Sequence, residues 1–174
     1  LSHAFVDKVD GQWKATSITE FIEKGNAISR ALLRLDIAIN DKIGLISMTN
    51  RSEWNICDLG ILQVGAQDIP IYPTSTKEDY QYILNHSESV ICFVSCREVY
   101  DKISAIRDQV PTLKYIYSFD VLDDCPHWSE LLTLGDDQSN QDQVDQIMAR
   151  VGQDDLATII YTSGTTGKPK CIVH

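Results

Sequence analysis

Near the C-terminal end of this 174-residue sequence, ten consecutive residues could do chemistry: Tyr161-Thr162-Ser163-Gly164-Thr165-Thr166-Gly167-Lys168-Pro169-Lys170. A run rich in β-branched residues, Leu156 to Tyr161, leads straight into two glycines, four hydroxyl residues and two lysines. Glycines let a backbone approach a ligand closely and point successive N–H groups at one anion. Ser and Thr hydroxyls donate to phosphate oxygens, and a lysine adds a point charge. The segment therefore reads as a cradle for nucleotide phosphates. A turn-rich hairpin loop would use the same residue types, and composition alone does not separate the two. A Walker A loop is excluded, because Thr165 and Thr166 alone separate Gly164 from Gly167 and Pro169 follows Lys168. The GxGxxG dinucleotide fingerprint is absent.

Such a loop needs a rigid scaffold, and the preceding sequence alternates strand-like and helix-like segments. Ser17 and Glu20 have capping-box spacing and open a helix whose Phe21, Ile28, Leu32 and Leu35 share a face. Ile43–Met48 reads as a strand. Asn50 and Glu53 then begin a helix carrying Trp54, Cys57, Ile61 and Leu62. Asp68–Tyr72 is a short strand closed by Pro73, and Ser75 with Glu78 caps a helix carrying Tyr80, Ile83 and Leu84. Val90–Val94 and Lys114–Ser118 are strands, separated by a helix on Val99, Ile103 and Ile106. Weaker helices are expected over Trp128–Leu134 and Gln141–Arg150, with a final strand over Leu156–Tyr161. Strands recurring about every two dozen residues with helices between them suit βαβ crossovers. The expected fold class is α/β, a mainly parallel sheet with helices on both faces. No domain boundary stands out, and the polar stretch Gly135 to Gln143 is the one expected to form a mobile loop.

Charge and cysteine usage narrow the function classes. The chain carries 15 basic and 25 acidic residues, a formal −10. Ten acids and one base, Arg150, fall between Asp120 and Asp155, which fits a solvated surface. The overall field repels phosphate polymers, so nucleic-acid binding is not expected. No uncharged apolar run reaches the roughly 20 residues a spanning helix needs. The first residues lack the apolar core of a secretory signal, and the missing initiator Met suggests that residues precede them. Five scattered cysteines without a CxxC pair fit a reducing compartment, and a cytoplasmic location is expected. No metal-ligand spacing stands out. Cys92 belongs to a core strand and Cys96 to the turn after it. His86 and His127 are expected at the surface, Trp54 in the core, and Arg51 capping its helix or paired with Glu53.

The ten-residue segment resembles the phosphate-loop signature of the adenylate-forming superfamily: acyl-CoA synthetases, peptide-synthetase adenylation domains and luciferases. Asn50-Arg51-Ser52-Glu53-Trp54 through Asp58-Leu59-Gly60, Gly65-Ala66 and Ile71-Tyr72-Pro73-Thr74 resembles long-chain fatty acyl-CoA synthetases in particular, as does the opening with Gly11, Trp13 and Thr16. The resemblance spans almost the whole chain but only the N-terminal part of that architecture. It implies an enzyme that activates a carboxylic acid with ATP and Mg²⁺ to an acyl-adenylate and passes the acyl group to coenzyme A. It implies that Thr162, Ser163, Gly164, Thr165, Thr166 and Gly167 wrap the β- and γ-phosphates. Thr166 and Lys170 become the expected catalytic residues, and Lys168 is expected to face solvent. Residues 1–174 would be a partial N-terminal AMP-binding domain, cut just after the phosphate loop, inactive alone, and lacking the strand that holds the loop's far side. Peripheral membrane contact stays open for the intact enzyme. Cys171-Ile172-Val173-His174 departs from the long-chain pattern towards the short-chain one. Two alternatives remain: an adenylation domain for an amino or aryl acid, or a non-catalytic α/β interaction module.

Overall fold

The computed structural model describes residues 3–9, 11–162 and 167–174. Its frame is a four-stranded parallel sheet of β3 (Lys42–Ile46), β4 (Gln67–Pro70), β5 (Ile91–Val94) and β6 (Tyr115–Ser118), in the order β4-β3-β5-β6. Parallel neighbours require crossovers, and helices supply them. α2 (Ser52–Gln63) joins β3 to β4, α3 (Lys77–His86) joins β4 to β5, and α4 (Arg97–Ser104) joins β5 to β6. The expected mainly parallel α/β sheet is what the chain forms.

The strands read as unbroken apolar runs because both faces are covered. On one face Ile43, Leu45, Ile91 and Phe93 pack against Ile28 and Leu32 of α1 (Ile18–Arg34), Ile56 and Ile61 of α2, and Leu131 of α5 (Ser129–Leu134). On the other, Ile46, Cys92 and Val94 meet Tyr80, Ile83 and Leu84 of α3 and Val99 and Ile103 of α4. α1 and α2 approach closely at two glycines. A Cβ on Gly25 would lie 2.5 Å from Leu59 Cδ2, and one on Gly60 would lie 2.6 Å from Ile28 Cβ.

Several local expectations hold, and others move. Ser17 caps α1 by accepting from the Glu20 N–H at 3.1 Å. α3 begins one residue later than its spacing suggested: the capping box is Thr76 with Asp79, not Ser75 with Glu78. Arg51, rather than Asn50, occupies the N-cap of α2 and makes no side-chain cap bond. An antiparallel hairpin not expected from the sequence, β1 (His3–Val9) and β2 (Gln12–Ser17), precedes α1 and turns at Gly11 with φ +78°. The stretch expected to be mobile makes hydrogen bonds to α1. Arg30 donates to Gly135 O at 2.6 Å, and Arg34 donates to Leu134 O and to Asp137 O. Asn140, just ahead of α6 (Gln141–Met148), donates to Arg30 O at 3.1 Å.

Candidate nucleotide-phosphate site

The loop with phosphate-binding composition leaves the sheet at its β4 edge. β7 (Ile159–Thr162) follows a parallel bridge between Asp68 and Thr158, with Asp68 N–H donating to Ala157 O at 3.1 Å. β7 therefore runs parallel to β4, and the loop emerges at the carboxyl end of the sheet, where open α/β sheets bind ligands. β8 (Lys170–Val173) returns antiparallel, with Thr162 opposite Lys170 and Ile159 opposite Val173. This corrects the expectation that the chain lacks the strand behind the loop. The backbone ladder extends to His174, which exchanges N–H···O bonds with Thr158 at 3.0 and 3.1 Å. The His174 side chain is exposed.

Of the six residues expected to wrap phosphates, Thr162 and Gly167 lie within the described structure. Ser163, Gly164, Thr165 and Thr166 lie outside the described residues. Thr162 and Gly167 line a cavity of about 380 Å³ with Tyr72, Thr74, Ser75, Asp79, Ile83, Tyr161 and Pro169. Gly167 has φ +93° and no atom within 4 Å of where a Cβ would sit, so glycine serves the backbone turn there rather than a tight packing space. Lys170 is exposed on β8, opposite Thr162 and outside the cavity wall.

The cavity's far side comes from residues the loop composition did not announce. Tyr80 Oη donates to Pro73 O at 2.8 Å, which fixes the turn presenting Tyr72, Thr74 and Ser75. Asp79 is engaged in the capping box of α3. Tyr161 is buried, and its hydroxyl lies 2.8 Å from His86 Nδ1 at the end of α3. Burial pushes the Tyr161 phenol up to about 12, so it stays protonated at neutral pH. Lys168 is exposed as expected, yet its Nζ sits 5.4 Å above the Tyr82 ring. Seventy-five positions separate His86 from Tyr161, and no motif spacing could have paired them.

Other singled-out residues take structural roles. Arg51 reaches Glu53 at 2.9 Å, Asp120 at 3.0 Å and Ser95 O at 3.2 Å, and stacks over Phe119. Burial pulls the Arg51 guanidinium down, but the hydrogen bonds to Glu53 and Asp120 outweigh it and hold it above its usual range. A second polar cavity of about 390 Å³ opens beside it, lined in part by Lys8, Lys14, Lys24 and Asn50. Trp54 is half-buried against the core and borders a small apolar cleft with Tyr72 and Pro73. His127 is half-buried rather than at the surface, with Nε2 2.9 Å from Phe119 O and Nδ1 2.6 Å from Ser129 Oγ. Cys57 and Cys92 are buried, and burial pushes both thiols well up, so neither is a poised nucleophile. Among the described residues no group of three or more His, Cys, Asp or Glu could hold a metal ion. No helix among them is long and apolar enough to cross a membrane.

A parallel sheet with helices on both faces, and a strand at its β4 edge leading into the Ser/Thr/Gly-rich segment, defines the class, an α/β domain. Comparison with known proteins narrows it. The model of the AMP-binding enzyme family matches residues 2–174, and the chain belongs to that family. It is 30% identical over 175 residues to the long-chain-fatty-acid–CoA ligase ACSBG2 of Xenopus laevis, covering 98% of this chain and 23% of that protein. It is 31% identical over 162 residues to the long-chain-fatty-acid–CoA ligase FadD15 of Mycobacterium tuberculosis, covering 93% and 26% respectively. The chain thus spans about a quarter of the length of these curated relatives. Among solved structures, the anthranilate CoA ligase AuaEII with anthranoyl-AMP shares the fold at a TM-score of 0.78 and 22% identity, over 92% of this chain and 30% of that one. A Mycobacterium tuberculosis fatty acyl CoA synthetase does so at 0.73 and 24%, over 93% and 29%.

Proposed function

We propose that this chain is the N-terminal part of the AMP-binding domain of an AMP-forming fatty acyl-CoA ligase. The observation that carries the reading is the Ser/Thr/Gly loop set after a parallel strand, with a cavity between its two ends and the turn at Tyr72–Ser75. The fatty acyl-CoA ligase relatives support the substrate class. In the reaction, a carboxylate oxygen attacks the α-phosphorus of ATP. The bond to the bridging oxygen breaks, and pyrophosphate leaves. The thiolate of coenzyme A then attacks the acyl carbon and expels AMP.

In this reading the chain's own part is to bind and orient the triphosphate. Hydroxyls of Thr162, Ser163, Thr165 and Thr166 donate to β- and γ-phosphate oxygens, and Gly164 and Gly167 let the backbone approach. Donors set in place before the reaction cost no reorganisation as charge builds on the leaving group. Thr166 and Lys170 are the residues assigned to catalysis. Mg²⁺ remains an expectation of the resemblance. The described residues supply no ligand cluster for it. The cytoplasm is the proposed location, with peripheral membrane contact open for the full-length enzyme.

The test is a panel of acids given to the full-length enzyme with ATP and coenzyme A, reading thioester and AMP. Long-chain fatty acids should give thioester with matching AMP. Aryl or amino acids used in their place would reassign the substrate, and AMP release with no acceptable acid would reject the ligase reading.

A further inference from the structure

We infer that Tyr82 and His86 of α3 are positioning residues that clasp the two ends of the phosphate loop. This rests on the proposed role of the loop in holding ATP phosphates. The two side chains stand four residues apart, one helical turn, and so share a face of α3. Their rings lie 5.4 Å apart. His86 Nδ1 meets the Tyr161 hydroxyl at 2.8 Å, and the two rings cross edge to face at 5.8 Å. Tyr161 is the residue before Thr162, where the loop begins. At the other end, Lys168 stands over the Tyr82 ring at 5.4 Å, next to Gly167. One helix face therefore touches the chain just before the loop and just after it.

The clasp has work to do because the hairpin carrying the loop sits at the margin of the sheet. All four residues of β8 are exposed, and the hairpin meets β4 at the Asp68–Thr158 bridge just ahead of β7. Side-chain contacts to α3 add restraint where backbone pairing is sparse. α3 also supplies Ile83 and Asp79 to the cavity wall, so the helix that clasps the loop borders the site it serves. The Tyr161 hydroxyl can donate to Nδ1 or accept from it, so the ring tautomer sets the direction of the bond while the 2.8 Å contact stays the same. A clasp that fixes donor positions acts on nucleotide binding and not on the acid.

The experiment compares His86→Leu, His86→Asn, Tyr161→Phe and the His86→Leu/Tyr161→Phe pair in the full-length enzyme by acid-dependent ATP–pyrophosphate exchange. Losing one such hydrogen bond should raise KM for ATP about fivefold, with KM for the acid unchanged. His86→Asn, whose amide can take the place of Nδ1, should return to within about twofold of wild type. The double variant should be no worse than the worse single, since both remove the same contact. ¹⁵N NMR of the full-length enzyme labelled at histidine gives an independent reading: a His86 Nδ1 resonance that moves in Tyr161→Phe. Wild-type exchange with an ATP KM indifferent to His86→Leu overturns the clasp and leaves the function standing. Equal rises in both KM values would mean a merely structural role. An Nδ1 resonance unmoved by Tyr161→Phe overturns the contact itself, and a wild type without exchange overturns the proposed function together with the inference.

Discussion

Replacing Gly60 with Ala should destabilise the chain, whereas the same change at Gly25 should not. Both glycines lie in helices that cross at close range, so Ala gains about 0.5–1 kcal/mol of helix propensity at either site. The packing cost differs. A Cβ at Gly60 would sit 2.5 Å from Ile28 Cγ2, 2.6 Å from Ile28 Cβ and 3.1 Å from Gly25 O. A β-carbon and a carbonyl cannot rotate away, so the two helices must separate, and overpacking of this kind costs about 1–3 kcal/mol. Separation also strains the Ser29 hydroxyl, which lies 3.0 Å from Gly25 O and 3.1 Å from Gly60 O. The net loss for Gly60→Ala should be about 1–2 kcal/mol. At Gly25 the obstacle is Leu59 Cδ2 at 2.5 Å and Cγ at 2.9 Å, the end of a half-buried side chain that can change rotamer. Gly25→Ala should therefore fall within about 0.5 kcal/mol of wild type. Urea unfolding followed by circular dichroism measures both, with the midpoint shifting and the slope unchanged. A Gly60→Ala variant as stable as wild type, or a Gly25→Ala loss exceeding it, refutes the close-crossing argument.

Burial, with the Asp68 charge adding to it, pushes the Asp58 carboxyl from 3.8 up to about 6. Its folded pKa is raised, so its stabilising contribution is complete below about pH 4 and fades as pH rises through about 6. Asp58→Asn should thus gain about 1 kcal/mol at pH 8, allowing for partial exposure, and nothing at pH 4; parallel stability curves for the two proteins would refute this. In native thiol labelling, exposed Cys171 should react first, and Cys57 and Cys92 only on unfolding. Early modification of Cys92 would contradict its place in the sheet. The 174-residue chain by itself should show no acid-dependent pyrophosphate exchange, because the loop and its flanks are too few groups to stabilise the transition state. Exchange above a no-enzyme control that is lost in Thr166→Ala would reject that expectation.

The parallel sheet was legible because both of its faces are covered. Strands such as Ile91–Val94 are then continuous apolar runs, and capped amphipathic helices fall between them. The β1–β2 hairpin went unread because most of its side chains are at least partly exposed, so no apolar run marks it. Its signal was the Asp10-Gly11 pair between two alternating segments. β8 hid for the same reason, with every residue exposed. The phosphate chemistry expected of the loop rests on residue types in one contiguous stretch. Its support was not legible there, because the His86–Tyr161 and Tyr82–Lys168 contacts join positions that only the fold brings together. Likewise Arg30 and Arg34 fasten a polar stretch about a hundred residues away, which composition alone marks as loose.

The central claim is that residues 162–167 hold the phosphates of ATP. Acid-dependent ATP–pyrophosphate exchange in the full-length enzyme, wild type against Thr165→Ala/Thr166→Ala, tests it most directly. Each lost donor to phosphate removes about 1.5–3 kcal/mol, so the exchange rate should fall at least about tenfold while the unfolding midpoint stays in place. Exchange at the wild-type rate in the double variant would contradict the phosphate-binding role of the loop.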